Sequence, residues 1–107
     1  MNDPESTYYQ VQLCDEIIPP SSGKQSTILV DDEQSKVIAF GFAAGAGLAE
    51  HVAPLPATIQ IISGEAILTA GNEAVEGKPG TYIRMPPKTP HSISATTPLV
   101  MLLTLQK

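Results

Sequence analysis

The chain contains two histidines, His51 and His91, far apart in sequence. Imidazole is the side chain that changes charge near neutral pH and the commonest metal ligand. Together the two rings could ligate a metal, hydrogen-bond a small molecule or shuttle a proton. Glu50 precedes His51 and is the nearest carboxylate to either ring in sequence, but neighbours on a regular strand face opposite ways. In the run Tyr-Ile-Arg-Met at 82–85, Tyr82 and Arg84 share a face. They are candidate pocket residues for a carboxylate ligand, with an edge-strand or dimer-surface charge as the plainer role for Arg84. Cys14 stands beside Asp15 and Glu16. Acidic neighbours disfavour a thiolate, so it is expected to be a buried structural residue. The stretch 43–50, Ala-Ala-Gly-Ala-Gly-Leu-Ala-Glu, is followed by no Lys-Ser/Thr pair and no helical pattern. It is expected to be a bend where backbones approach closely, not a phosphate loop. No nucleophile elbow accompanies either histidine, so a Ser-His-Asp set finds no support.

Many short elements must position these residues. The 107 residues carry ten prolines and eight glycines, dispersed along the chain. That punctuation suits short strands and turns and opposes long helices. A chain of this length builds one domain, spanning residues 1–107, with residues 1–7 as a loose lead-in. Period-2 or β-branched runs predict strands at 8–13, 26–30, 36–43, 57–63, 65–70, 73–76, 81–85, 91–94 and 99–105. Phe40 and Phe42 fall on one strand face, as do Ala57, Ile59 and Ile61, with Thr58, Gln60 and Ile62 opposite. About ten strands at such spacing predict an all-β barrel or sandwich.

The net charge of −5 comes without a basic cluster, and the six cations are scattered. This excludes the electrostatic footprint of a nucleic-acid binder. No apolar run reaches the ~18 residues of a membrane span, and no leader pattern opens the chain. One cysteine cannot form an intrachain disulfide. A cytoplasmic location is expected, with neither nucleic acid nor membrane as partner.

The surroundings of the two histidines resemble the paired motifs of the cupin superfamily. The first runs Gly45, five residues, His51, Val52, Ala53, three residues, Ala57, six residues, Gly64. The family pattern has a second histidine at the Ala53 position and a glutamate at the Ala57 position. The second runs Gly80, five residues, Pro86, one residue, Lys88, two residues, His91, three residues, Ala95. There the family has glycine for Lys88 and asparagine for Ala95. The motif-bearing barrel covers residues 36–107, and the chain is most similar to small stand-alone cupins with degenerate metal motifs.

The resemblance implies a cupin-type double-stranded β-helix, a jelly-roll-like barrel in a single domain. It also implies a site of three histidines and one glutamate around Fe, Mn, Zn or Ni, of which only His51 and His91 remain. The expected function is a small-molecule-binding cupin with its ligand in the lumen around His51 and His91. Two alternatives stay open: a metal-dependent dioxygenase, isomerase or decarboxylase using both histidines and solvent, and a dimeric structural or regulatory module. A homodimer is expected, because both faces of the 57–63 run and of the last strand are apolar.

Overall fold

The computed structural model describes residues 8–107. The expected lead-in at 1–7 lies outside that range. Nine strands follow one helical turn, α1 (Leu13–Glu16): β1 (Lys24–Asp31), β2 (Ser35–Phe42), β3 (Gly47–His51), β4 (Ala57–Ser63), β5 (Ala66–Ala70), β6 (Glu73–Gly77), β7 (Tyr82–Met85), β8 (His91–Ala95) and β9 (Leu99–Gln106). They form a five-stranded sheet in the order β1-β2-β9-β4-β7 and a four-stranded sheet in the order β3-β8-β5-β6. All pairings are antiparallel. Two facing sheets of this kind make the jelly-roll barrel, and the all-β expectation holds.

Alternation decides what lies between the sheets. On β4, Ala57, Ile59 and Ile61 are buried while Thr58, Gln60 and Ile62 are only half-buried. The first set joins Phe42, Leu68, Met85, Ile93 and Met101 in one apolar cluster. Phe40 and Phe42, two apart on β2, stack with ring centroids 5.7 Å apart and planes 4° from parallel. Fully burying such side chains stabilises the fold by roughly 1.5–3 kcal/mol each. The lumen below the histidines is therefore packed with side chains.

Three local expectations are corrected. Residues 8–13 form no strand: none of the described strands pairs with them, and Leu13 opens α1. The segment instead crosses the outer face of the five-stranded sheet, where Ile17 is buried with Ala39 and Val100, and Leu13, Leu29, Ile62 and Leu102 pack against them. Cys14 is exposed rather than buried, because one turn of helix that seats Leu13 against the sheet leaves the next residue facing solvent. Residues 47–51 form strand β3 after a turn at Gly45, where φ is +85°. The close backbone approach expected there is found at Gly47: a Cβ on it would lie 2.0 Å from the Ile93 carbonyl oxygen.

The β1–β2 hairpin closes on Asp32, whose Oδ1 accepts from the backbone N–H of Gln34 (2.8 Å) and of Ser35 (2.9 Å). These donors, Gln34 first, hold its carboxyl below the ordinary 3.8. A lowered folded-state pKa stabilises the fold above the unfolded value, and that contribution fades as pH falls through the folded value. Carbon-detected NMR titration is expected to show Asp32 titrating below 3.8, with the Ser35 amide shift following the same curve. Titration at or above the ordinary value would remove the cap.

Candidate functional site

His51 ends β3 and His91 begins β8, and the two are directly paired across the sheet. Their ring centroids lie 4.1 Å apart with planes inclined at 59°. A β-bulge makes this pairing. Leu48 faces Ile93 and His51 faces His91, so two residues of β3 span the gap that Ser92 alone spans on β8. In an unbroken register Glu50 would oppose His91. The extra residue re-aims the strand by one position, as bulges beside functional sites do.

Each ring is oriented by its own backbone. Nδ1 of His51 lies 2.9 Å from the Ala49 carbonyl oxygen, and Nδ1 of His91 lies 2.9 Å from that of Thr89. A carbonyl oxygen can only accept, so both Nδ1 atoms donate. In the neutral rings the lone pair is then on Nε2 in both cases. His91 is 3% exposed and His51 open to solvent, so one ring is fixed by packing and the other forms the entrance.

The strand ends extend the row. His91 also pairs with Ala70 at the end of β5, and Ala70 pairs with Glu73 at the start of β6. Directly opposite residues share a face, so His51, His91, Ala70 and Glu73 line one rim of the four-stranded sheet. Sequence reasoning missed Glu73 as a site neighbour. Its distance from both histidines along the chain hid it, and only the hairpin register reveals it. Beside the rim, the Lys88 N–H donates to the Ala53 carbonyl at 2.8 Å, tying the two motif loops together. Lys88 has φ +66°, the left-handed region that explains why the family pattern has glycine there.

Tyr82 and Arg84 are not brought to the histidines. Both are exposed, Tyr82 at 60%, while their strand neighbours Ile83 and Met85 pack into the core cluster. They stand on the outer face of edge strand β7, where Arg84 Nη2 donates to Gln106 Oε1 at 3.0 Å. The alternation that places Ile83 and Met85 inward excludes Tyr82 and Arg84 from the lumen. Three surface clefts of about 310, 320 and 330 Å³ lie elsewhere, and neither histidine lines them.

A barrel of this topology, with one motif histidine from each half meeting at its rim, defines the cupin class. A family profile for the cupin domain matches residues 39–105, and the chain belongs to that family. Among solved structures, it is similar to a conserved protein of unknown function from Streptococcus pyogenes, with 27% identity and a TM-score of 0.84 over 99% of this chain and 92% of that one. A cupin superfamily protein from Desulfitobacterium hafniense is 21% identical, with a TM-score of 0.84 over 90% and 88%. A structure of DMSP lyases shares the fold at 17% identity, with a TM-score of 0.73 over 78% of this chain and 47% of that one. Enzymes are thus among the fold neighbours. No curated protein sequence matches the chain.

Cupin domains often bind metal. The donor set here falls short of a resident metal centre. Catalytic metal sites supply three protein ligands, and no group of three or more His, Cys, Asp or Glu side chains suited to a metal occurs among the described residues. The two other motif positions are alanines, of which Ala57 is buried in the core.

Proposed function

We propose that this cupin domain binds a small molecule at the His51–His91 rim. The observation supporting this is the pair of Nε2 atoms left as acceptors, with both Nδ1 atoms tied to backbone carbonyls. Two neighbouring acceptors on adjacent strands match two neighbouring donors, such as the vicinal hydroxyls of a small polyol or sugar acid. With Phe42, Ile59, Met85 and Met101 filling the lumen, the ligand rests on the rim rather than deep in the barrel.

Titrating the histidine ¹⁵N resonances with a panel of small polyols and hydroxy acids tests this reading. A member of the panel is expected to shift both Nε2 resonances together, and His51→Ala is expected to weaken its binding at least tenfold. A panel that moves neither resonance would sink the proposal. Stoichiometric Fe, Mn, Zn or Ni in the purified protein, lost in His51→Ala, would instead support a metal-dependent enzyme.

The same reading places the domain in the cytoplasm as a homodimer without a nucleic-acid partner. The single cysteine supports the location, and the scattered cations on an acidic chain support the lack of a nucleic-acid partner; no helix among the described residues is long and apolar enough to cross a membrane. Much of the apolar outer face formed by β4 and β9 is covered by the chain's own Leu13 and Ile17, which leaves the sheet edges as the surface for a second copy.

A further inference from the structure

The two sheets leave four edge strands: β1 and β7 in one, β3 and β6 in the other. An unprotected edge presents a row of backbone donors and acceptors to any strand that can reach it, and monomeric proteins blunt such edges. Three of the four are blunted. β7 has four residues, carries Arg84 and runs into Pro86-Pro87. β3 has five residues and a bulge. β6 has five residues and carries Glu73 and Glu76.

β1 is different. It too has a bulge, between Ile28 and Val30, but it runs to eight residues, and the six from 25 to 30, Gln-Ser-Thr-Ile-Leu-Val, hold neither charge nor proline. Ile28, in the middle, is 56% exposed. On its free side, β1 makes no backbone hydrogen bond to a loop or turn among the described residues.

The register of β1 also fits itself. Lys24, Ser26 and Ile28 pair with Phe42, Phe40 and Ile38, which share one face of β2. The pairing then skips Leu29, so that Val30 meets Val37 and Asp31 meets Lys36. The bulge thereby returns Asp31 to the face that carries Lys24. A two-fold axis through Thr27 sets Thr27 against its own copy, Ser26 against Ile28 and Gln25 against Val30. At each end Lys24 then meets Asp31 of the other copy, on one face and with opposite charge. Without the bulge these ends would fall on opposite faces and could not pair.

We infer that β1 is an interaction edge for a second copy of this chain, paired antiparallel about Thr27 so that the two five-stranded sheets become one. The inference rests on the homodimer reading above and adds its surface and register. Asp31 also pairs with Lys107 within its own chain, so Lys24 of the other copy joins an existing ion pair.

Cysteine cross-linking in a Cys14→Ser background tests the register, with sedimentation reporting mass. Directly opposed residues lie within disulfide reach, whereas residues displaced along the strand do not. Thr27→Cys is expected to cross-link nearly completely under mild oxidation, and Ser26→Cys hardly at all. Lys24→Asp is expected to weaken the dimer roughly tenfold by placing like charges opposite at both ends. Adding Asp31→Lys to it is expected to restore association, with thermal melts confirming that every variant folds. A dimer in which Thr27→Cys does not cross-link would overturn the edge while leaving the homodimer standing. A monomer at micromolar concentration would overturn both.

Discussion

Phe42→Ala is expected to lower the unfolding free energy by about 3–5 kcal/mol, the usual cost of truncating a buried phenylalanine. The melting temperature is expected to fall by roughly 15–30 °C, as a domain of this size loses several degrees per kcal/mol. Phe42 has 0% exposure and lies in the cluster that fills the barrel. It also stacks on Phe40, so truncation removes a ring contact as well as buried area. The size of the loss bears on function. If the lumen were open space for a ligand, the ring would have few partners and its removal would cost little. A loss below about 1.5 kcal/mol, more typical of a volume-conserving core swap, would show that the interior is loosely filled and return the binding site to the lumen. Thermal and urea unfolding of the purified variant, with a spectrum confirming the retained β signal, read the outcome.

The legible and illegible parts of the chain differ for physical reasons. Alternation of apolar and polar residues is a local property. It puts a strand at 57–63 with Ala57, Ile59 and Ile61 on one face, and the structure buries that face. It also paired Phe40 with Phe42. The spacing of Gly45, His51, Gly64, Gly80, Pro86 and His91 carried the family. What alternation cannot show is an extra residue. The bulge in β3 has no signature in Gly-Leu-Ala-Glu-His, yet it decides that His51 and not Glu50 faces His91. The segment at 8–13 alternates like a strand, but none of the described strands pairs with it, and its Leu13 packs on the outer face instead. Glu73 and Ala70 join the histidine row only through two successive pairings, a non-local fact. Alternation puts Tyr82 and Arg84 on one face, but the side that face takes is set by the register with β4, where Ile83 meets the buried Ile59.

Gly64→Ala is expected to cost about 3 kcal/mol, against about 1 kcal/mol for Gly71→Ala, although both glycines sit in tight turns at positive φ, Gly71 in the β5–β6 hairpin and Gly64 where the chain passes from one sheet to the other between β4 and β5. The left-handed conformation is common to the two, with φ +85° at Gly64 and +60° at Gly71, and an L side chain pays for it at either place. The surroundings differ. A Cβ on Gly64 would lie 2.0 Å from the Pro98 carbonyl oxygen, whereas nothing lies within 4 Å of one on Gly71. Backbone cannot rotate away as a flexible side chain can, so the 64 turn or the 98 loop must move. That loop is held to the turn by the Glu65 N–H donating to Thr97 Oγ1 at 2.9 Å and by the Thr96 N–H donating to the Glu65 carbonyl at 2.9 Å. Movement there disturbs bonds as well as packing. The turn adjoins the Ala66 end of β5, while the histidine row lies at its Ala70 end. Gly64→Ala should therefore weaken the fold while leaving the His51 and His91 resonances of the folded fraction in place. Equal midpoint shifts for the two glycine variants in urea would show that φ alone governs both sites and that the Pro98 contact yields without cost.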